Sequence, residues 1–240
     1  MLTAYAKNPG AYHQALIGCG DSQNLLRRAA AAIEETGADD GKEGSGPTSD
    51  DEIKVLIHFA ESVGLFLDAA KMRQFMLRNA MRSGSEHKVA HDVNENRVIK
   101  DLNSRAIATE SLFDYLTDHL LSNYFFHDDV KLEGFYQEEN HLHIVVSQPY
   151  VDGIHPDWET LKTGLEAQGL KHESPASKIP SFIIENTPAG IICINDLHEN
   201  NVILGSVSRL MHPIDAHFYF DDRAARILAL NLLEIRRGIL

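Results

Sequence analysis

The segment 194–204, Ile-Asn-Asp-Leu-His-Glu-Asn-Asn-Val-Ile-Leu, places two oxygen-bearing side chains between short apolar runs. Asp196 follows the first run, Asn201 comes five positions later, and a further carboxylate, Asp215, ends the segment 211–215. Phosphoryl transfer uses such a set, because one carboxylate orients the acceptor hydroxyl while amide and carboxylate oxygens hold Mg²⁺ against the phosphates. The spacing therefore indicates phosphotransfer chemistry, although an isolated Asp in this position is commonly a turn residue.

The elements that must position these residues change in kind along the chain. The first 80 or so residues have helical periodicity, and later segments alternate as strands do. A polar loop at 37–48 separates two of the early helices and is expected to be mobile. Helices are predicted at 22–35, 53–60, 65–81, 109–124, 156–168 and 223–238, and strands at 86–91, 97–102, 131–137 and 141–148. This order predicts an α+β fold.

Residues 49–52, Ser-Asp-Asp-Glu, form a capping-box pattern at the start of the second helix. The pattern predicts that a helix opens here, with Ile53, Leu56, Ile57 and Ala60 on its apolar side.

Several motifs in order along the chain resemble those of protein kinases and aminoglycoside-phosphotransferase-like kinases. Asp-Leu-His-x-x-Asn with a later Asp resembles the catalytic loop and the metal-binding Asp. Upstream, 84–89 (Gly-Ser-Glu-His-Lys-Val) resembles a reduced phosphate-covering loop, 97–100 (Arg-Val-Ile-Lys) resembles the lysine-bearing strand, and 142–153 resembles the strand and hinge that hold adenine.

The resemblance is closer still to the phage- and plasmid-associated polyvalent protein-kinase-like family. It rests on Gly-x-Glu-His-x-Val at 84–89, Leu-Glu-Gly-Phe at 132–135, Ser-Gln-Pro at 147–149 and Pro-Ile-Asp at 213–215. Together these motifs cover residues 83–220 and are more specific as an ordered set than singly.

The resemblance implies a role for each candidate residue. Lys100 would pair with the α and β phosphates, Asp196 would be the catalytic base, and Asn201 and Asp215 would bind Mg²⁺. The remaining nucleotide contacts would come from the phosphate loop, the pocket walls and the hinge backbone, namely Gly84, Val89, Ile99, Gln148 and Tyr150.

Lys100 also needs an acidic partner that keeps it aimed at the phosphates. Glu110, at the start of the helix predicted at 109–124, is the first candidate, and Glu86 and Asp114 remain open.

The implied architecture is a reduced, bilobal kinase-like fold with an N-terminal helical extension. The extension would comprise residues 1–82 and the kinase-like domain residues 83–240. Within that domain the N-lobe would span 83–148, the hinge 148–153 and a truncated C-lobe 154–240.

The pattern also departs from that of kinases. The phosphate loop has one glycine, Asp-Ala-His replaces Asp-Phe-Gly at 215–217, and 25 residues follow Asp215. The expected function is a phosphotransferase that uses ATP and Mg²⁺, with an unknown protein or small-molecule acceptor. Two alternatives remain open: a catalytically silent nucleotide-binding or protein-interaction module, and a partner-binding role for the N-terminal helices.

Composition excludes other classes of protein. The net charge of −13 argues against a broad nucleic-acid-binding face, and no apolar run approaches the roughly 20 residues that cross a membrane. A cytoplasmic location is the default expectation. Cys19 and Cys193 form no disulfide or zinc pattern, and Cys193 is expected to be buried. His141 and His143 share a strand face that could hold zinc, but exposed histidines are the favoured interpretation.

Overall fold

The computed structural model describes residues 21–37, 49–81, 87–105, 111–173 and 181–235. These residues form two compact units, one spanning residues 22–150 and the other beginning at Val151. The boundary between the units falls within the segment 148–153. Each unit combines helices with antiparallel sheet, so the α+β prediction is confirmed.

The first unit packs four helices around one four-stranded sheet. Its elements are α1 (Asp21–Gly37), α2 (Ser49–Val63), α3 (Ala69–Arg78), β1 (His87–Asp92), β2 (Arg97–Asn103), α4 (Leu112–Phe126), β3 (Lys131–Glu138) and β4 (His141–Pro149). The strands lie in the order β1-β2-β4-β3 and every neighbouring pair is antiparallel. The strand bounds lie within one residue of those predicted from alternation.

The helix predicted at 65–81 is shorter than expected. Asp68 caps α3 by accepting a hydrogen bond from the Lys71 N–H at 3.0 Å, so the helix begins only at residue 69. The flanking residues are extended and pair with the sheet. Leu65 and Leu67 exchange backbone hydrogen bonds with Phe135 of β3, and residues 79–81 exchange them with β1.

The described residues of the second unit, which begin at Val151, form two small antiparallel sheets and two helices. Its elements are β5 (Gly153–Ile154), α5 (Trp158–Ala167), β6 (Lys171–Glu173), β7 (Ser181–Thr187), β8 (Gly190–Asn195), a 3₁₀ turn (Glu199–Asn201), β9 (Val202–Gly205), β10 (Met211–Pro213), β11 (His217–Tyr219) and α6 (Arg223–Leu232). One sheet has the order β10-β9-β5 and the other β11-β8-β7-β6.

Two predictions about side chains need correction. Cys193 is only half-buried, although loss of water still raises the pKa of its thiol. His143 is buried rather than exposed, because it hydrogen-bonds to a buried carboxylate described below. Cys19 and the loop 37–48, apart from Gly37 at the end of α1, lie outside the described residues. No described helix has both the length and the apolar character that a membrane crossing requires.

Candidate functional site

The loop between β8 and β9 holds Asp196 and Asn201 in direct contact. The Asn201 Nδ2 donates to the Asp196 carboxylate Oδ2 at 2.8 Å and to the Asp196 backbone carbonyl at 3.0 Å. Asp196 itself has a φ of +62°, a left-handed conformation that Asp and Asn adopt more readily than most residues. The five-residue spacing therefore reflects a closed turn in which Asn201 fixes the carboxylate.

His198 contributes a second contact within the same loop. Its Nδ1 accepts a hydrogen bond from the Asn200 N–H at 3.1 Å, which places the ring proton of the neutral imidazole on Nε2. That Nε2 lies 3.5 Å from Oδ1 of Asp196. Both oxygens of the Asp196 carboxylate therefore face a donor from their own loop.

The loop is anchored on its far side as well. The Asn201 carbonyl accepts from the Ile214 N–H at 2.8 Å, and Pro213 of β10 pairs with Val202 of β9. Asp215 therefore follows directly after the residue bonded to Asn201. The structure brings Asp196, Asn201 and Asp215 into one neighbourhood of the second unit.

The donor chemistry of this neighbourhood fits a hard divalent cation. Because Nδ2 of Asn201 is turned toward Asp196, its carbonyl oxygen Oδ1 is turned away and is the atom that can serve as a metal ligand. The described residues contain no group of three or more His, Cys, Asp or Glu side chains arranged for a metal. A Mg²⁺ ion here would therefore depend on Asn201, Asp215, water and phosphate oxygens, the ligand set expected with a nucleotide.

In the first unit, the strand register decides which side chains accompany Lys100. Lys100 pairs with Val89 of β1 and Val146 of β4, so these three side chains lie on one face of the sheet. Ile99 lies on the opposite face, since neighbouring residues of a strand alternate. Val98 shares the Lys100 face, and the expected pairing of Val89 with Ile99 in one pocket wall therefore does not match the register.

The end of β4 adds an aromatic pair to this face. Gln148 is opposite Val98, and the Tyr150 ring stacks on His91 of β1 with ring centroids 4.2 Å apart. The Tyr150 N–H already donates to the Asn96 carbonyl at 3.0 Å. Base recognition by Tyr150 in this conformation would therefore have to use its carbonyl or its ring rather than its N–H.

The Lys100 side chain is buried, with only 6% of its surface exposed. Two carboxylates of the first unit are candidates to lie near its ammonium group. Tyr115 of α4 stacks on His87, and the register places His87 on the same sheet face as Lys100. Asp118, also 6% exposed, lies three positions after Tyr115 and therefore on the same side of α4.

Asp128 in the loop after α4 interacts electrostatically with Lys100. Loss of water raises the pKa of its carboxyl group to about 8, and the positive charge of Lys100 opposes that rise. Sequence reasoning missed both Asp118 and Asp128, because neither belongs to a motif. Gly84, Glu86 and Glu110 lie outside the described residues, and Asp114 is half-buried in the first turn of α4.

The opposite face of the sheet carries a separate buried network. Asp101 accepts a hydrogen bond from the Tyr136 hydroxyl at 2.6 Å and lies 2.8 Å from Nδ1 of His143, whose ring stacks on Tyr136. Burial, and then the neighbouring Asp101 carboxylate, raise the pKa of the Tyr136 hydroxyl. His143 is thereby committed to Asp101, which argues against a zinc site shared with His141.

A family model described as "Serine/Threonine/Tyrosine Kinase found in polyvalent proteins" matches residues 49–222. No curated protein and no solved structure matches the chain. The matched segment includes Lys100, the loop 196–201 and Asp215.

Proposed function

The chain belongs to the family of serine/threonine/tyrosine kinases found in polyvalent proteins, and on that premise we propose that it transfers the γ-phosphoryl group of ATP with the help of Mg²⁺. The observation that carries this proposal is the closed loop around Asn201. Its side chain holds the Asp196 carboxylate, and its backbone carbonyl accepts from the N–H of Ile214, the residue before Asp215. In the alternative, the chain is a silent module that binds nucleotide through the same residues but does not catalyse phosphoryl transfer.

Asp196 would act as the base toward the acceptor hydroxyl. Its carboxylate is held by Asn201 and faced by His198, and its side chain remains 42% exposed, so an acceptor can reach it. Asn201 and Asp215 would hold Mg²⁺, which supplies positive charge to the phosphates. Lys100 would contact the α and β phosphates. Val89 and Val98 would line the pocket of the adenine base, together with the region of Gln148 and Tyr150.

For the acidic partner of Lys100, we propose Asp118. A Lys and an Asp are almost never this deeply buried unless each is paired. The Tyr115–His87 stack places the Asp118 side of α4 over the sheet face that carries Lys100. Asp118 thereby joins Glu110, the first candidate from the sequence, and the open alternatives Glu86 and Asp114.

Two substitutions separate the proposed roles of the carboxylates. Asp215→Asn removes a charged metal ligand, so Mg²⁺-dependent ATP affinity should fall about tenfold or more. Asp196→Asn should leave ATP affinity within about twofold while lowering kcat by about 10²-fold or more, because the base acts mainly in the transition state. Asn tolerates the left-handed backbone at 196, so the loop should keep its conformation.

Isothermal titration with ATP, with and without Mg²⁺, beside an autophosphorylation or ATPase assay, measures both effects. Asp221→Asn is the matched control, since Asp221 is an exposed carboxylate of the same unit outside the loop. Equal losses of binding in both site variants would show that the roles are misassigned. Nucleotide binding without turnover in the wild-type chain would favour the silent module.

A further inference from the structure

Helix α2 sends a buried carboxylate to the start of α4. The Glu52 side chain is fully buried, and its Oε2 accepts a hydrogen bond from the Leu112 N–H at 2.7 Å across 60 positions of sequence. In a capping box the Glu side chain returns to the backbone of its own helix. The structure shows that Glu52 reaches a different helix.

The contact lies where α4 needs an acceptor. The first N–H groups of a helix have no partner inside it, and Ser111 satisfies one of them by accepting from the Asp114 N–H at 3.0 Å. Glu52 satisfies another from outside the helix, since its Oε2 lies at the N-terminal end of α4, where a negative charge or partial charge is favoured. A buried carboxylate is costly unless such contacts offset its lost hydration, so the geometry between α2 and α4 is narrowly fixed.

Glu52 contacts the first turn of α4, the helix that carries Asp118. Asp118 lies less than two turns beyond Leu112, and between them Tyr115 stacks on His87 at 5.7 Å between ring centroids. A shift of the first turn of α4 would therefore move Asp118 relative to the sheet face of Lys100.

We infer that Glu52 is a positioning residue for phosphate binding: it holds the N-terminus of α4 in place and thereby keeps Asp118 against Lys100. The inference rests on the proposed function, in which Lys100 contacts the phosphates and Asp118 pairs with Lys100. It also gives α2 a part in the nucleotide site, in place of a separate role in binding partners.

The test is a double-mutant cycle on ATP affinity, measured by isothermal titration well below the melting temperature. Glu52→Ala should weaken ATP binding about fivefold or more, and Glu52→Gln, which keeps an acceptor, should weaken it less. Because Glu52 acts through Asp118, the pair Glu52→Ala/Asp118→Asn should bind no more weakly than Asp118→Asn alone. Hydrogen exchange at residues 112–118 should accelerate in Glu52→Ala.

Asp50→Ala is the matched control, since Asp50 is exposed in the same turn of α2 and should change neither readout. Losses that add in the double mutant, or a lower melting temperature with unchanged ATP affinity, would reduce Glu52 to a structural role. If Glu52→Ala does not fold, the cycle with Glu52→Gln decides. A wild-type chain that binds no nucleotide overturns the proposed function itself, whereas wild-type binding with unaltered Glu52 variants overturns only the positioning role.

Discussion

Asp128 shows how the surroundings of a single residue can set a pH dependence. Its carboxyl pKa is raised from 3.8 to about 8 by loss of water, against the attraction of Lys100. Between these values the folded chain retains a proton that the unfolded chain has released. The free energy of unfolding should therefore fall as pH rises from about 4 toward 8. Above that range, the loss of stability caused by Asp128 should stay constant.

Asp128→Asn tests this dependence, because the amide has a similar shape and does not ionise. At pH 4 the variant and the wild type should have similar free energies of unfolding, and at pH 8.5 the variant should be the more stable. Urea unfolding at several pH values measures the difference. Asp129→Asn is not a suitable control, since Asp129 forms an ion pair with Arg97 at 2.9 Å.

Asp92→Asn is no better a control, because Asp92 is only half-exposed and accepts hydrogen bonds within its turn. Glu139→Gln, an exposed carboxylate of the β3–β4 turn, is better matched. A pH profile of Asp128→Asn parallel to that of the wild type would show that Asp128 is already ionised in the folded chain.

Residues in local contact were the ones that the sequence could predict. Asp196 and Asn201 meet because five positions close one turn, so their spacing carries the signal. Asp118 stands out by its burial on α4, and Asp128 by its electrostatic interaction with Lys100, and no spacing along the chain encodes either property. The family resemblance implied that Ile99 lines the same pocket as Val89, but alternation along the strand sends the side chains of Ile99 and Lys100 to opposite faces.

At the scale of elements, Gly134 allows a strand and the N-terminal segment to approach each other. Its φ is +149°, and a Cβ added there would lie 2.5 Å from the Leu65 carbonyl oxygen and 2.9 Å from the Leu67 side chain. Leu65 and Leu67 pair with Phe135, the next residue of β3. The glycine of the Leu-Glu-Gly-Phe motif is therefore explained by packing rather than by contact with a nucleotide.

Gly134→Ala should consequently lower the free energy of unfolding by about 3 kcal/mol, from backbone strain and overpacking together. Gly64→Ala is a matched control, because Gly64 also has a positive φ (+70°) but open space around the position of a Cβ. It should lose only about 1 kcal/mol, the backbone part alone. Denaturant unfolding of both variants compares the two, and equal losses would exclude the proposed clash.

Helix ends were harder to predict than helix interiors. The apolar spacing at 65–81 continues past both ends of α3. Leu65 and Leu67 are half-buried extended chain paired with β3, and residues 79–81 are extended chain paired with β1. Helical and extended segments can share such spacing over a few residues. The ends of α3 are set by backbone hydrogen bonds to β1 and β3, and a local sequence pattern carries no information about these bonds.

At the scale of the whole molecule, the helices before the sheet supply part of its core. The first unit includes the region expected to be an extension, residues 22–82, together with the sheet. Several of its apolar side chains are buried, among them Leu26, Ile33, Leu56, Phe59 and Met76. Losing large buried side chains costs about 2–5 kcal/mol each, comparable in sum to the 5–15 kcal/mol that stabilises a typical domain.

A truncated chain beginning at residue 83 should therefore show no cooperative unfolding of its first unit. A chain beginning at residue 49, where the family match starts, keeps α2 and α3 and should unfold cooperatively at a lower temperature than the full chain. Thermal melts followed by near-ultraviolet circular dichroism compare the three. If the chain beginning at residue 83 showed a cooperative transition at the same temperature as the full chain, α1–α3 would be dispensable for folding.

The pairing of residues 65–67 with β3 and of 79–81 with β1 has a further consequence for solubility. These are the two outer strands of the sheet, and unpaired outer strands are templates on which another chain can add a strand. Here the chain's own backbone occupies part of each edge. A destabilised first unit that released these segments would expose two templates at once, and self-association should follow the loss of α3 more closely than the loss of the nucleotide site.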